Sequence, residues 1–246
     1  MEPLHLSSKI VENGKEFLIQ TVNEVGTGQI KTSIFENGEL LDTNVIPHAE
    51  DAGTNEINNL LKSTHQEKKS EMEYLFKSYK EIIQTGQPKM MYHLGTSLYY
   101  KKLYFEAQQL FRTAIKLDEN YHEAYLFLAK TNIALNHYED AIDAADKAVS
   151  LKSEYADYRN ILGEAFLGAQ SCKRAVVEFE KAISSNVYYA DAYLNLALAN
   201  MLNGINREDY ELSSDMTTKC VDYLKKAALI YPEYQSEFFN RGLSLL

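Results

Sequence analysis

The chain has 246 residues, with 25 Lys and Arg against 35 Asp and Glu, a formal charge of −10 at neutral pH. That balance disfavours a surface built for phosphate backbones or anionic lipid, which needs clustered cations; basic runs do not exceed dipeptides such as Lys68-Lys69 and Lys225-Lys226. Two isolated cysteines, Cys172 and Cys220, make neither a disulfide framework nor a zinc site.

No stretch approaches the ~20 apolar residues of a membrane helix, and Met1 to Val11 lacks the apolar core of a signal peptide. A cytoplasmic protein is expected, without membrane insertion and without a nucleic-acid partner.

The first element group alternates with period two: Phe17, Ile19, Thr21; Ile30, Thr32, Ile34; Leu41, Thr43, Val45. Asn13-Gly14 and Asn37-Gly38 supply the two positive-φ residues of a tight hairpin, and Gly26 with Gly28 marks a looser turn. The pattern predicts a four-stranded antiparallel meander, near residues 6–11, 15–23, 28–35 and 39–46. The fourth strand carries Leu41 and Val45 on one face and Leu40 and Ile46 on the other. Two apolar faces on one strand, with bare sheet edges, predict that the meander recruits a second copy of the chain; the alternative is that the second face packs on the first repeat of the same chain, near Met90 and Leu94.

After Pro47 and a polar linker, residues 56–83 read as one helix of about 42 Å. Ile57, Leu61, Met72, Leu75, Phe76 and Ile82 mark its apolar side, and its middle, Ser63 to Ser70, is polar and expected to be exposed or lightly packed. Thr85-Gly86-Gln87-Pro88 ends it.

From there the sequence repeats every 34 residues. Leu94, Leu128, Leu162 and Leu196 precede the small residues Gly95, Ala129, Gly163 and Ala197; Ala107, Ala141 and Ala175 keep the interval, as do Phe111, Ala145 and Phe179, and Tyr121, Tyr155 and Tyr189. Small residues let two helices of a hairpin approach, and the bulky columns fill the space between them. Pairs are predicted near 89–102 with 105–117, 123–135 with 139–151, and 157–169 with 173–185. A fourth pair is split by an insertion near Asn203 to Asp215, which carries Arg207, Glu208, Asp209, Tyr210 and Glu211, and resumes near Met216 with Cys220, Leu224 and Ala227 in the expected columns. Phe238, Arg241, Gly242 and Leu245 begin a last, capping helix.

These columns resemble the tetratricopeptide repeat family over residues 88–246, although Trp is absent and only Pro232 matches the closing proline. The resemblance implies a mostly α fold: a right-handed α-solenoid of about four repeats over residues 86–246, preceded by an α+β module over residues 1–85.

It also implies a concave groove lined by the first helix of each repeat. In this sequence that set is Lys89, Tyr92, Thr96, Tyr99, Phe127, Lys130, Asn160, Glu164, Asn195, Leu198 and Leu202. Members that clamp a terminal carboxylate use Lys, Arg and Asn; Tyr92, Thr96, Phe127, Asp157 and Ile161 stand there instead, so an acidic tail is not the expected ligand. Asn160 and Asn195 retain the donor and acceptor that an extended peptide backbone needs.

No chemistry competes with this reading. His122 and His137 lie about 20 Å apart along one helix, too far to share a metal, and are expected on the solvated surface. Cys172 has no His or Asp near it in sequence, and Gly26-Thr27-Gly28 lacks the Lys and the following helix of a phosphate loop. The expectation is a non-enzymatic adaptor, without cofactor or metal, that holds a peptide or helix of a partner protein. The alternative is a regulatory subunit whose N-terminal module binds a ligand and gates the groove.

Overall fold

Asn13-Gly14 and Asn37-Gly38 both take positive φ, 52° and 76° in the first turn and 49° and 91° in the second. The first joins β1 (His5–Glu12) to β2 (Lys15–Glu24), and the second joins β3 (Gln29–Glu36) to β4 (Glu39–Pro47). The sheet is antiparallel throughout, in the order β1-β2-β3-β4. The computed structural model describes residues 5–24, 26–49, 52–205 and 214–232. The chain divides into two compact units between Thr113 and Ala114.

In the first unit, one face of the sheet buries Phe17, Ile19, Thr21, Ile30, Thr32 and Ile34. Helix α1 (Thr54–Thr85) covers it and ends at Gly86, whose φ of 66° only glycine adopts without strain. Phe76 of α1 meets Phe17 with 4.9 Å between ring centroids.

The polar middle of α1 is not exposed as expected: Thr64 and His65 are buried. Burial is tolerated because the ring is satisfied on both sides. His65 Nε2 lies 2.8 Å from Ser8 Oγ and Nδ1 lies 3.0 Å from Thr21 Oγ1, which continues to Thr32 Oγ1 at 3.0 Å. Burial, aided by the charges of Lys69 and His5, holds this imidazole below its ordinary pKa.

β4 also departs from simple alternation. Ile34 pairs with Asp42 but Phe35 with Leu40, so Leu41 is the extra residue of a β-bulge. Leu41 lines a cavity of about 10 Å³ with Ile34, Met72 and Leu103, and Ile46 pairs with buried Ile30. Leu40 and Val45 are left outward, 56% and 43% exposed. The expected partition, Leu41 with Val45 and Leu40 with Ile46, is broken by that one inserted residue.

Helices α2 (Pro88–Tyr100) and α3 (Tyr104–Leu117) form the first hairpin. Ion pairs tie the sheet and α1 to them. Lys68 bridges Asp42 at 3.0 Å and Glu71 at 3.1 Å, and Lys101 bonds Glu71 in turn. Burial pushes both carboxyls up, but the lysine hydrogen bonds and charges outweigh it and leave Asp42 and Glu71 below their ordinary values.

Lys15 reaches further, to Glu36 at 2.7 Å and to the fully buried Glu106 at 3.2 Å, with its ammonium 4.9 Å from the Phe105 ring centroid. Geometry leaves Glu106 Oε1 without a well-aligned hydrogen bond, so the Lys15 charge is what compensates it. A buried carboxylate without such a partner is strongly destabilising.

The second unit stacks α4 (His122–Ala134) with α5 (Tyr138–Leu151), α6 (Ala156–Gly168) with α7 (Cys172–Ser185), and α8 (Ala190–Ile205) with α9 (Ser214–Ile230). Every regular element described after Pro88 is a helix.

The turn within each of the first three hairpins is the same. Lys102, Asn136 and Gln170 take left-handed φ of 60°, 59° and 58°. The next amide in each case donates back to the ending helix: Leu103 to Leu98 O at 2.9 Å, His137 to Asn132 O at 2.8 Å, Ser171 to Phe166 O at 2.8 Å.

Within each hairpin the columns are complementary in volume. Glycine stands against phenylalanine: a Cβ on Gly163 would lie 2.4 Å from Phe179 Cε1, and one on Gly95 2.7 Å from Phe111 Cε1. In the repeat between them the same positions hold Ala129 and Ala145, both fully buried. In the fourth pair Cys220 Sγ approaches Ala197 O at 3.7 Å. Of the insertion, Asn203 to Ile205 belong to α8 and Ser214 to α9; Arg207, Glu208, Asp209, Tyr210 and Glu211 lie outside the described residues, as do Phe238, Arg241, Gly242 and Leu245 of the expected capping helix.

Candidate peptide-binding surface

The anticipated groove residues fall in both units. In the first, Lys89 is exposed and Tyr92 and Thr96 are half-buried on α2. The Tyr92 ring lies 6.2 Å from Phe111, and Thr96 Oγ1 donates to Tyr92 O at 2.9 Å. Tyr99 stacks between Tyr100 and Tyr104, at 5.4 and 5.5 Å. It is therefore partly a packing residue of the hairpin turn, whereas Tyr100 is 72% exposed.

In the second unit the first helices of successive repeats bring three of the set together. Asn160 and Asn195 each donate to Glu164 Oε1, at 2.8 and 3.0 Å, and Asn195 also donates to Asn160 Oδ1 at 3.1 Å. Asn160 and Glu164 are one turn apart on α6, and Asn195 is on α8, so the cluster joins two repeats. Both amides are buried. The sequence expectation left them available to a peptide backbone, but their donors are committed to Glu164, because a carboxylate facing a helix seam needs them more than solvent does.

Burial pushes the Glu164 carboxyl above its ordinary value. Hydrogen bonds from Asn195 and Asn160 and the charge of Lys130 oppose this, and the charge of Asp191 adds to it. Lys130 rests 5.0 Å from the Phe127 ring centroid. Phe127, Lys130, Glu164, Leu198 and Leu202 are half-buried, so each presents part of its surface. The arrangement offers a mixed face: aromatic and aliphatic area, one ammonium, and a carboxyl held in place by two amides.

His122, expected on the solvated surface, is instead half-buried, with Nδ1 2.7 Å from Tyr158 OH. Asp157, placed with the groove set by register, lines a cleft at the inter-repeat turns. Cys172 is buried at the start of α7. Among the described residues no three His, Cys, Asp or Glu side chains converge as a metal site would require, and no helix is long and apolar enough to cross a membrane.

The sequence of residues 102–164 matches the family model for the tetratricopeptide repeat. Residues 102–164 are tetratricopeptide repeats. Solved structures with the same fold include a crystal structure of MamA, at a TM-score of 0.56 and 23% identity, covering 69% of this chain and 95% of that one. A thermophilic tetratricopeptide repeat protein of Thermus thermophilus, TTC0263, aligns at a TM-score of 0.54 and 24% identity, over 64% of this chain and 82% of that one. MamA from Desulfovibrio magneticus aligns at 0.52 and 16% identity, over 62% and 80%. Identities at this level establish the fold of the repeats. No curated protein matches the sequence.

The raised pKa of Glu164 fixes the sign of one effect. A carboxyl raised in the folded state contributes stability that is complete below its ordinary value of 4.5 and is lost as pH climbs through the folded-state value. Glu164→Gln, which keeps the acceptor and removes the charge, is expected to melt no lower than wild type at pH 7, and to abolish that part of the pH dependence. Thermal melts of both proteins between pH 4 and 8 check this. A variant that melts several degrees lower at pH 7 contradicts the assignment.

Proposed function

We propose that the chain is a cytoplasmic protein-interaction scaffold, without catalytic activity, whose repeats hold a peptide or helix of a partner protein along the first helices. The observation that supports this most is the half-buried set on α4, α6 and α8: Phe127 and Lys130, the Glu164 carboxyl locked by Asn160 and Asn195, and Leu198 with Leu202. Aromatic and aliphatic area beside fixed polar groups is what an anchored peptide requires. Asn160 and Asn195 serve as positioning residues for Glu164; in the first unit, Lys89, Tyr92, Thr96 and Tyr99 of α2 are proposed as a binding set of their own. The ligand-sensing alternative has less support, since the cavity under Leu41 has room for about one water.

Affinity purification with the full chain, followed by titration of fragments of the retained partner, tests the reading. Phe127→Ala with Lys130→Glu is expected to weaken partner binding at least tenfold while leaving the melting temperature within a few degrees. Undiminished binding by this variant removes the groove assignment.

The N-terminal module is proposed to dock a second copy of the chain. Leu40, Val45 and Val11 are exposed on the face of the sheet opposite α1, beside half-exposed Leu18 and Phe35, and among the described residues β1 and β4 each pair with one strand only. Light scattering on the full chain is expected to give a dimer at micromolar concentration, and a monomer for Leu40→Lys with Val45→Lys. A wild-type monomer eliminates the proposal. Point variants are preferable to truncation at Gln87, which would strip Lys15 from buried Glu106.

A further inference from the structure

Two successive inter-repeat clefts of the second unit are built from different side chains at most of their equivalent positions, His122 and Tyr158 of the first among them. The recurring tyrosine column, Tyr121, Tyr155 and Tyr189, stands just before each first helix. Where α4 and α6 neighbour each other, His122 and Tyr158 close the gap with their 2.7 Å hydrogen bond, and the Tyr158 ring stands edge-on to Tyr155 with 5.1 Å between centroids. One repeat later the same two positions hold Ala156 and Ala192. No such pair forms there; Ala192 is fully buried, and Ala156 borders an open cleft of about 430 Å³ lined also by Glu154, Tyr155, Asp157, Ser185, Asn186 and Tyr189.

We propose that this cleft receives an arginine side chain of a partner protein. Two tyrosines and two carboxylates around one void match a guanidinium, which stacks on aromatic faces and accepts carboxylates in its fork. Lys152 lies 4.0 Å from Glu154, the outer limit of an ion pair, and Asp157 has no ion pair among the described residues.

The N-termini of α6 and α8 border the cleft and carry roughly half a positive charge each. Asp157 in the first turn of α6 and Asp191 in that of α8 offset them. An anion would face the carboxylates directly. The cleft lies at the turns, apart from the helix bodies that carry Lys130 and Glu164, so it stands independently of the groove reading. It gives the −10 chain a second, charge-selective contact.

The test uses the full chain with labelled tyrosine rings, titrated by NMR with N-acetyl-arginine amide. The controls are N-acetyl-citrulline amide, neutral and nearly isosteric, and N-acetyl-tyrosine amide. The Tyr155 and Tyr189 signals are expected to shift saturably with arginine at a dissociation constant on the order of millimolar, and at least fivefold more weakly with citrulline. Ala156→His, which places a large side chain in the wall of the cleft, is expected to diminish the response at least fivefold, and Asp157→Asn to weaken it about fivefold. If Ala156→His does not fold, Asp157→Asn and the citrulline comparison still decide. Equal responses to arginine and citrulline, a stronger response to the tyrosine derivative, undiminished arginine binding by Asp157→Asn, or no response of either ring overturns the proposal.

Discussion

The close approach of two helices in each hairpin is the constraint on which the repeat array depends. Gly163 lies against the Phe179 ring with no room for a Cβ, and Gly95 lies likewise against Phe111. The repeat between these positions replaces both members, using Ala129 and Ala145. Close approach is thus kept by setting the smallest residue against a large ring or two small residues against each other, without voids in a densely packed interior. The left-handed turn at Lys102, Asn136 and Gln170 closes each of these three hairpins in the same way. A repeated turn and a repeated packing distance together align the first helices, so that side chains from neighbouring repeats, Glu164 and Asn195 among them, reach each other.

The N-terminal module obeys a different logic, in which charge does what repetition does elsewhere. Its sheet and α1 share an apolar core, but the links to α2 and α3 are ionic: Asp42, Lys68, Glu71 and Lys101 in one chain of contacts, and Glu36, Lys15 and Glu106 in another. Glu106 is fully buried, so its pairing with Lys15 selects one arrangement of the module on the first hairpin. The chain therefore divides within α3, between Thr113 and Ala114, and the first hairpin goes with the sheet.

Elements whose signals are local are legible in the sequence. The Asn-Gly turns place the strands to within a residue or two, and the columns of period 34 place the helix pairs equally well. What is not legible depends on partners far along the chain. The polar middle of α1 is buried because Ser8 and Thr21 meet His65, contacts that span 57 and 44 positions. Leu40 and Leu41 exchange faces because of a single bulge, which alternation alone does not reveal. Asn160 and Asn195 look like free amides in the sequence, since the register gives their helix face but not the carboxylate between them. The His122–Tyr158 pair, and its replacement by Ala156 and Ala192, is present in the repeat alignment but is invisible without the cleft it fills.

The direct test of this account is the sign of one substitution. In an open helix, replacing glycine by alanine stabilises by about 1 kcal/mol, because alanine loses less backbone entropy. Against the Phe179 ring the added methyl overpacks a filled site, which costs about 1–3 kcal/mol. Urea unfolding of Gly163→Ala, followed by tyrosine fluorescence since the chain has no Trp, is therefore predicted to show a loss of stability that Phe179→Leu relieves in the double variant. A Gly163→Ala protein more stable than wild type would contradict the packing constraint from which the alignment of the repeats follows.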